Sequence, residues 1–452
     1  MYDLIVIGGG PAGYRAAERA GKAGLKTLLI EKREVGGVCL NEGCIPTKTL
    51  LYSAKLKDKA RTGEKYGVYA SDILLNHLSV LARKKSVVSK LVAGIKMQLK
   101  QAGVILVSGE AVIAGKSEGF DIRCGKDLYS GKQLLIATGS VPVIPPIPGL
   151  GEALKHGFAM TSREILDLET VPAKLLVIGG GAIGLELASY FTSAGSEVTV
   201  IEMLGTIGGA IDRDIAKILK KNLERKGIRF RLGCTVAAVG KNTVTVKDQS
   251  EKEEIYADLV LVCAGRKAHI YNLGLENIGV MAQNGAVPTD DKLMTNIPGV
   301  YAAGDVNGKS MLAHTAYREA EVAIDGMTGG TDAMSYRAVP GVIYTSPETA
   351  GVGETETSAR EKGMDVTAKV LSLLYSGRYA AENENGDGIA KILIDNQDGR
   401  IVGFHMIGSY ASEIIYGACM MIENNMTVEQ AKKIIFPHPT VSEIIRECLL
   451  LI

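Results

Sequence analysis

Leu4-Ile5-Val6-Ile7-Gly8-Gly9-Gly10-Pro11-Ala12-Gly13 opens the chain, and Leu175-Leu176-Val177-Ile178-Gly179-Gly180-Gly181-Ala182-Ile183-Gly184 repeats its pattern far downstream. Each is a short apolar run followed by a glycine turn, the sequence of a buried strand that feeds a helix. The first copy continues through an Ala-rich helix to Thr27-Leu28-Leu29-Ile30-Glu31, the second through a helix reaching Tyr190 to Val198-Thr199-Val200-Ile201-Glu202. In both, a glutamate stands 18 positions after the last glycine. One glycine fingerprint is a weak signal; two with matched strands, helices and glutamates are an internal duplication of a βαβ unit.

The chemistry of each copy is the same. Gly8 and Gly179 permit the tight turn, Gly10 and Gly181 let a pyrophosphate approach the backbone, and Gly13 and Gly184 let the helix pack on the strand. The anion meets the helix N-terminus. Glu31 and Glu202 stand where a carboxylate accepts from ribose hydroxyls and repels a 2′-phosphate. No arginine lies in Met203-Leu204-Gly205, so the second copy is expected to prefer NAD over NADP. Glu186, on the helix that follows the second glycine turn, and Gly265 complete the candidate NAD site. Residues 134–139 (ending Thr138-Gly139) and 259–265 each read as a buried parallel strand ending in a small-residue turn. The proline-rich stretch 141–149 reads as a linker, with a boundary near residue 145.

Shortly after the first copy come Cys39 and Cys44, with four residues between them, in Gly36-Gly37-Val38-Cys39-Leu40-Asn41-Glu42-Gly43-Cys44-Ile45-Pro46-Thr47-Lys48. They read as a redox-active disulfide beside a flavin. Pro46 suits the first turn of a helix, whose positive end would stabilise a thiolate on Cys44. A stapling disulfide or half a zinc site is the competing reading, but so short a loop leaves little to staple and no second close cysteine pair is present. FAD is the natural occupant of the first copy, since it accepts electrons from a thiolate and passes them to a nicotinamide.

Composition narrows the class. With 452 residues, 46% hydrophobic and 22% charged, the chain buries a large core and divides into about three domains. A net charge of +1 gives no field for nucleic acid or an anionic membrane. Met1-Tyr2-Asp3 leads straight into an apolar strand, and no apolar run approaches the roughly 18 residues of a spanning helix. Cys124, Cys234, Cys263, Cys419 and Cys448 are scattered singly, as suits a reducing compartment. A cytoplasmic enzyme is expected.

On these motifs the sequence resembles the glutathione reductase-like disulfide oxidoreductases, and within them most closely the dihydrolipoamide dehydrogenases. The resemblance implies an α/β fold of two Rossmann-like domains, for FAD and NAD, with a C-terminal α+β dimerisation domain. The segments are 1–145 and 269–337 for FAD, 146–268 for NAD and 338–452 for the interface, the last marked by apolar runs around Asn396-Gln397-Asp398-Gly399. It implies that Cys39 meets substrate, that Cys44 contacts the flavin and that Lys48 lies near the reactive flavin nitrogen. Asp305, in Tyr301-Ala302-Ala303-Gly304-Asp305-Val306, matches the second FAD motif, where it would accept from a ribityl hydroxyl. His438 and Glu443, in Phe436-Pro437-His438-Pro439-Thr440-Val441-Ser442-Glu443, match the acid–base pair that reaches into the other subunit of a homodimer. His314 resembles a residue close to the flavin and receives no catalytic role, while His77, His156, His269 and His405 are expected to be surface or satisfied histidines. Lipoyl domains or a lipoyl carrier protein would be the partners, and no metal is expected.

Departures separate the relatives. Ala17-Glu18-Arg19 and Glu202 count against glutathione and NADPH, while His438 and the ending Arg446-Glu447-Cys448-Leu449-Leu450-Leu451-Ile452 count against a mercuric reductase. Single-cysteine NADH oxidases and coenzyme-A-disulfide reductases lack the pair kept here. Other disulfide reductases of the class, or a non-catalytic flavoprotein subunit, are the alternatives. Phe436-Pro437 and Ala268-His269 differ from the common pattern, and Ala182 is small for a position that shields the flavin in some relatives.

Overall fold

In the computed structural model, which describes residues 1–248 and 251–452, Tyr2–Ile7 lies between two parallel neighbours, Thr27–Glu31 and Asp127–Ile136. Lys174–Ile178 repeats this placement between Glu197–Glu202 and Leu259–Val262. The duplication therefore includes the closing strand of each sheet, and the strand order reverses beside the central strand in both. Ligands of open α/β sheets bind outside the carboxyl ends of the strands at that point. Leu4, Ile5 and Val6 are fully buried, and Leu175, Leu176 and Val177 nearly so; Leu4 and Val6 pack on helix residues such as Ala16 and Leu99, and Ile5 packs with Ile113, Phe120 and Ile122 of the antiparallel strands.

The chain divides into two compact units. The first comprises Met1–Thr49, Leu78–Ile144 and Gly265–Ser335. Its seven-stranded sheet runs Ile105–Ser108, Thr27–Glu31, Tyr2–Ile7, Asp127–Ile136, Phe120–Cys124, Ala111–Lys116, with Val300–Ala302 also parallel to Asp127–Ile136. The strand expected from residue 134 begins at Asp127: its first half is antiparallel to Phe120–Cys124, and only its buried second half joins the parallel core.

The second unit comprises Leu50–His77, Pro145–Ala264 and Tyr336–Ile452. It holds the repeated nucleotide sheet, ordered Arg229–Leu232, Glu197–Glu202, Lys174–Ile178, Leu259–Val262, Ala159–Thr161, and a three-stranded antiparallel sheet of Thr235–Val239, Thr243–Lys247 and Lys252–Tyr256. Near the C-terminus a five-stranded antiparallel sheet carries the expected pair, Ile389–Asp395 and Ile401–Gly408, joined across residues 396–400. Helices Ala411–Glu423 and Glu443–Leu450 cover this sheet, closing a core that includes Ile392, Phe404, Met406, Ile415 and Ile444.

The first glycine of each turn takes a positive φ, +101° at Gly8 and +107° at Gly179. The third is fixed by contact: a Cβ on Gly13 would overlap the Gly8 carbonyl oxygen, and one on Gly184 the Gly179 carbonyl oxygen. Those obstacles are backbone, so helix Ala182–Ala194 must move off its strand to relieve them. Gly184→Ala is expected to destabilise the protein by about 1–3 kcal/mol, measured as a lowered thermal midpoint; an unchanged midpoint would refute the packing argument.

Candidate active site

The glycine turns show what they are built to hold. Gly10 and Gly181 are N-caps with φ of −73° and −78°, values open to any residue. A Cβ on Gly181 would meet nothing within 4 Å, and one on Gly10 would find its nearest neighbour, the Gly37 Cα, at 3.8 Å. Packing within the chain therefore does not demand glycine there; the open space does. Neither helix has a side-chain cap, whereas helix Arg213–Arg225 is capped by Asp212. An open cradle at an uncapped helix N-terminus fits a pyrophosphate, so both turns have the shape and donors that a dinucleotide needs.

The middle glycine, which the sequence pattern left without a role, is the hub of each site. Gly9 N–H donates to Glu31 Oε2 at 2.6 Å, and Gly180 N–H to Glu202 Oε2 at 2.7 Å. The other carboxylate oxygen accepts from Arg33 N–H at 2.7 Å in the first unit and from Leu204 N–H at 2.8 Å in the second. The Gly9 carbonyl accepts from Gly36 N–H and the Gly180 carbonyl from Gly208 N–H, both at 2.8 Å. A carboxylate has about four lone-pair sites, so each glutamate held this way keeps acceptor capacity for ribose hydroxyls.

Cys39 and Cys44 are bonded to each other, with Cα atoms 4.6 Å apart. Two helices present them: Cys39 lies within Gly37–Glu42, and Cys44 is the first residue of Cys44–Arg61, with Gly43 breaking the path between. The sequence placed a helix start at Cys44 and gave no separate helix for Cys39. Asn41 Nδ2 donates to the carbonyls of Gly37 at 3.0 Å and Val35 at 3.1 Å, which ties the short helix to the chain entering it. Both sulfurs belong to half-buried residues, and Cys44 takes the positive end of an 18-residue helix. Lys48 follows one turn later on the same helix face. Burial instead pushes the Cys263 and Cys448 thiols up to about 12 and Cys419 to about 11, which keeps them protonated at neutral pH.

Asp305 follows strand Val300–Ala302 and belongs to a network of distant residues. Ser140 Oγ donates to its Oδ2 at 2.5 Å, while Arg266 donates through Nε to Ser140 Oγ and through a terminal nitrogen to the Ser140 carbonyl, both at 2.8 Å. Burial raises the Asp305 carboxyl pKa and lowers that of the Arg266 guanidinium, so for each, desolvation outweighs attraction to the other across the serine. Gly304 N–H donates to the fully buried Glu319 at 2.5 Å. Thr138 spends its hydroxyl on the His269 carbonyl at 2.7 Å, and Gly139, with φ +70°, has no neighbour within 4 Å of a Cβ position. Ser140, Arg266 and Glu319 escaped the sequence reading.

In the second unit Glu186 is buried and accepts from Tyr344 N–H at 3.0 Å, which orients its carboxylate within the fold. Gly265 falls in the first unit, where its carbonyl accepts from Val143 N–H at 3.0 Å. His77 and His405 are buried and bonded, the first to Tyr190 Oη and the Leu168 carbonyl at 2.7 Å each, the second to the Glu354 carbonyl at 2.8 Å. His156 is exposed beside Glu152, and His269 is half-buried.

His438 is 78% exposed, and its Nδ1 lies 2.8 Å from Glu443 Oε1. Thr440 N–H donates to Glu443 Oε2 at 2.8 Å, and Thr440 Oγ1 donates to the Pro437 carbonyl at 2.8 Å. Ser376 Oγ donates to the Thr440 carbonyl at 3.0 Å, and Phe436 packs on the C-terminal core. The Thr440 N–H and then His438 hold the Glu443 carboxyl below its ordinary pKa. It stays ionised in the folded protein as pH falls through the usual carboxylate range while the unfolded chain takes up a proton, so the stability it contributes at neutral pH is lost progressively between the ordinary value and its lowered one.

Residues 2–320 match the model of the pyridine nucleotide-disulphide oxidoreductases, and residues 339–449 the dimerisation domain of the same family. The chain belongs to this family. It is 37% identical over 449 residues to the dihydrolipoyl dehydrogenase of Mycoplasma genitalium, covering 99% of this chain and 97% of that protein. It is also 37% identical over 460 residues to the mitochondrial dihydrolipoyl dehydrogenase of Homo sapiens, covering 98% and 89%. Among solved structures, the HOCl-induced flavoprotein disulfide reductase RclA from Escherichia coli matches with TM-score 0.87 and 28% identity, covering 100% of both chains. LpdA from Mycobacterium tuberculosis matches with TM-score 0.89 and 27% identity, covering 99% of each. The two glycine turns, the disulfide and the C-terminal sheet thus lie within segments shared along the whole family chain. Glu443→Gln removes the charge facing Nδ1 and should lower turnover at least about tenfold with flavin content unchanged; full turnover would remove the pair from the site.

Proposed function

We propose that this chain oxidises dihydrolipoamide to lipoamide through the Cys39–Cys44 disulfide, with FAD as internal carrier and NAD as hydride acceptor. The disulfide at the start of the helix beside the first glycine turn carries this reading. FAD is assigned to the first turn with Gly8, Gly10, Gly13, Glu31, Thr138, Gly139, Lys48 and Asp305, and NAD to the second with Gly179, Gly181, Gly184, Glu186, Glu202 and Gly265. FAD, when bound, supplies an acceptor for the electron pair of a thiolate and a donor of hydride to the nicotinamide.

The residues of the chain do the remaining work. In the homodimer we infer, His438 of one subunit takes a proton from the substrate dithiol that faces the disulfide of the other, and Glu443 stabilises the imidazolium. The substrate thiolate attacks Cys39 Sγ, forming a mixed disulfide and releasing Cys44 as a thiolate. The second substrate thiol then displaces Cys39, so the dithiol loses two electrons and the cysteine pair gains them. Cys44, at the helix N-terminus, would hold the resulting thiolate, and the ammonium of Lys48 would balance negative charge beside a bound flavin. Glu202 selects NAD by repelling a 2′-phosphate.

The segments 1–145 and 269–337 form the FAD part, 146–268 the NAD part and 338–452 the interface. Lipoyl domains or a lipoyl carrier protein of a 2-oxoacid dehydrogenase or glycine-cleavage complex are the inferred partners. The five unpaired cysteines fit the cytoplasm, and among the described residues no helix is long and apolar enough to cross a membrane. The similarity to RclA favours another disulfide reductase as the second reading. Cys44→Ser should abolish lipoamide turnover while FAD stays bound, and retained turnover would overturn the assignment. Steady-state rates with dihydrolipoamide, glutathione disulfide and coenzyme-A disulfide, each with NAD(H) and NADP(H), should be highest for dihydrolipoamide with NAD; preference for NADP(H) would remove the role given to Glu202.

A further inference from the structure

Lys391 lies on strand Ile389–Asp395 of the C-terminal sheet and is 1% exposed. Its ammonium meets Asp212 Oδ2 at 3.0 Å, Asp214 Oδ2 at 2.9 Å, and Glu356. Three N–H donors thus face three carboxylates, the full donor capacity of a lysine. Burial works against the charged form, but the bonds to Glu356, Asp214 and Asp212 outweigh it and raise the lysine pKa above its ordinary value. Across the sheet Lys391 pairs with His405, whose pKa burial lowers.

Asp212 is the deeply buried member, 3% exposed. Its Oδ1 caps helix Arg213–Arg225 by accepting from Asp214 N–H at 2.9 Å, leaving Oδ2 for Lys391. Asp212 also ends the loop that leaves Glu202. That loop bends back to Glu202 Oε1 through Leu204 N–H, touches the Gly180 carbonyl through Gly208 N–H, and buries Ile207 to 1% exposure. Between Glu202 and Asp212 it has neither helix nor strand to hold its shape. Its near end is fixed by the glycine turn, its far end by an ammonium from the C-terminal sheet.

We propose that Lys391 is a positioning residue for the second dinucleotide site, acting through Asp212 on the loop 203–212 that sets Glu202 against the glycine turn. The inference rests on the reading of that turn as the NAD site. An interface-module residue thereby controls nucleotide affinity without touching nucleotide.

The FAD-loaded full-length enzyme tests this with two variants. Asp212→Asn keeps a helix-capping side chain and removes the ion pair; Lys391→Met removes the ammonium itself. In Asp212→Asn the NADH dissociation constant, read by fluorescence titration, should rise about tenfold or more, as small displacements at a binding site do. The NAD KM should rise with it, while the dihydrolipoamide KM and FAD content stay at parental values. Lys391→Met should behave alike wherever it folds, and Asp212→Asn carries the test where it does not. A dissociation constant within twofold of the parent in folded Asp212→Asn overturns the proposal, as does an equal rise in both KM values, which marks general loosening. If the parent enzyme binds no NADH, the nucleotide reading falls and the proposal with it.

Discussion

Both nucleotide units depend on the peptide of one glycine. At Gly9 and at Gly180 the N–H holds a strand-end carboxylate, and the carbonyl holds the loop that leaves that strand. The acceptor is charged, so the N–H bond is stronger than a neutral one, and the carboxylate is oriented before any ligand arrives. The turn on either side of it is constrained as well. The first glycine turns the chain at a φ no other residue adopts comfortably, and the third lets the helix meet the strand. The middle peptide then joins strand end, turn and crossover into one rigid rim around an open cradle.

That rigidity bears on specificity. A carboxylate held by two backbone donors cannot swing aside for a 2′-phosphate without giving up both bonds, and of the two only the Gly180 N–H is part-buried, where losing its partner costs roughly 1–3 kcal/mol. On the proposed reading of Glu202, selection between the two nicotinamide dinucleotides would follow from repulsion together with this anchoring. Coulomb repulsion at a mobile, solvated side chain would be far weaker.

The sequence was most readable where the signal is local. The two strand–turn–helix–strand units, the closely spaced cysteines and the strands around Asn396-Gln397-Asp398-Gly399 each depend on spacing within a few tens of residues. Their boundaries moved by a few positions, as helix ends and strand starts do; helix Ala182–Ala194 runs four residues past Tyr190. What escaped were contacts between remote positions. Ser140 meets Asp305 across 165 residues and Arg266 across 126, and Lys391 meets Asp214 across 177. A serine after a glycine, or a lysine in an apolar strand, carries no local mark of such a partner. The break between the helices of Cys39 and Cys44 has a local mark that the reading passed over: Gly43 is a poor helix former, and the ring of Pro46 clashes with the turn before it and so fits only near the start of a new helix.

The repeats diverge at the crossover, and that divergence confines the redox chemistry to one of them. Both crossovers leave the strand glutamate and return to the middle glycine, through Gly36 in the first and Gly208 in the second. In the first, the next long helix begins on Cys44 itself, so the positive end of the helix lies at a sulfur. In the second, the next helix begins behind Asp212, whose carboxylate satisfies N–H groups in the first turn of that helix and is in turn held by a buried ammonium. A cysteine in that place would face a carboxylate, which disfavours a thiolate. One crossover leaves the helix end available for chemistry and the other closes it for rigidity, so the same scaffold yields an electron-accepting site once and a passive binding site once.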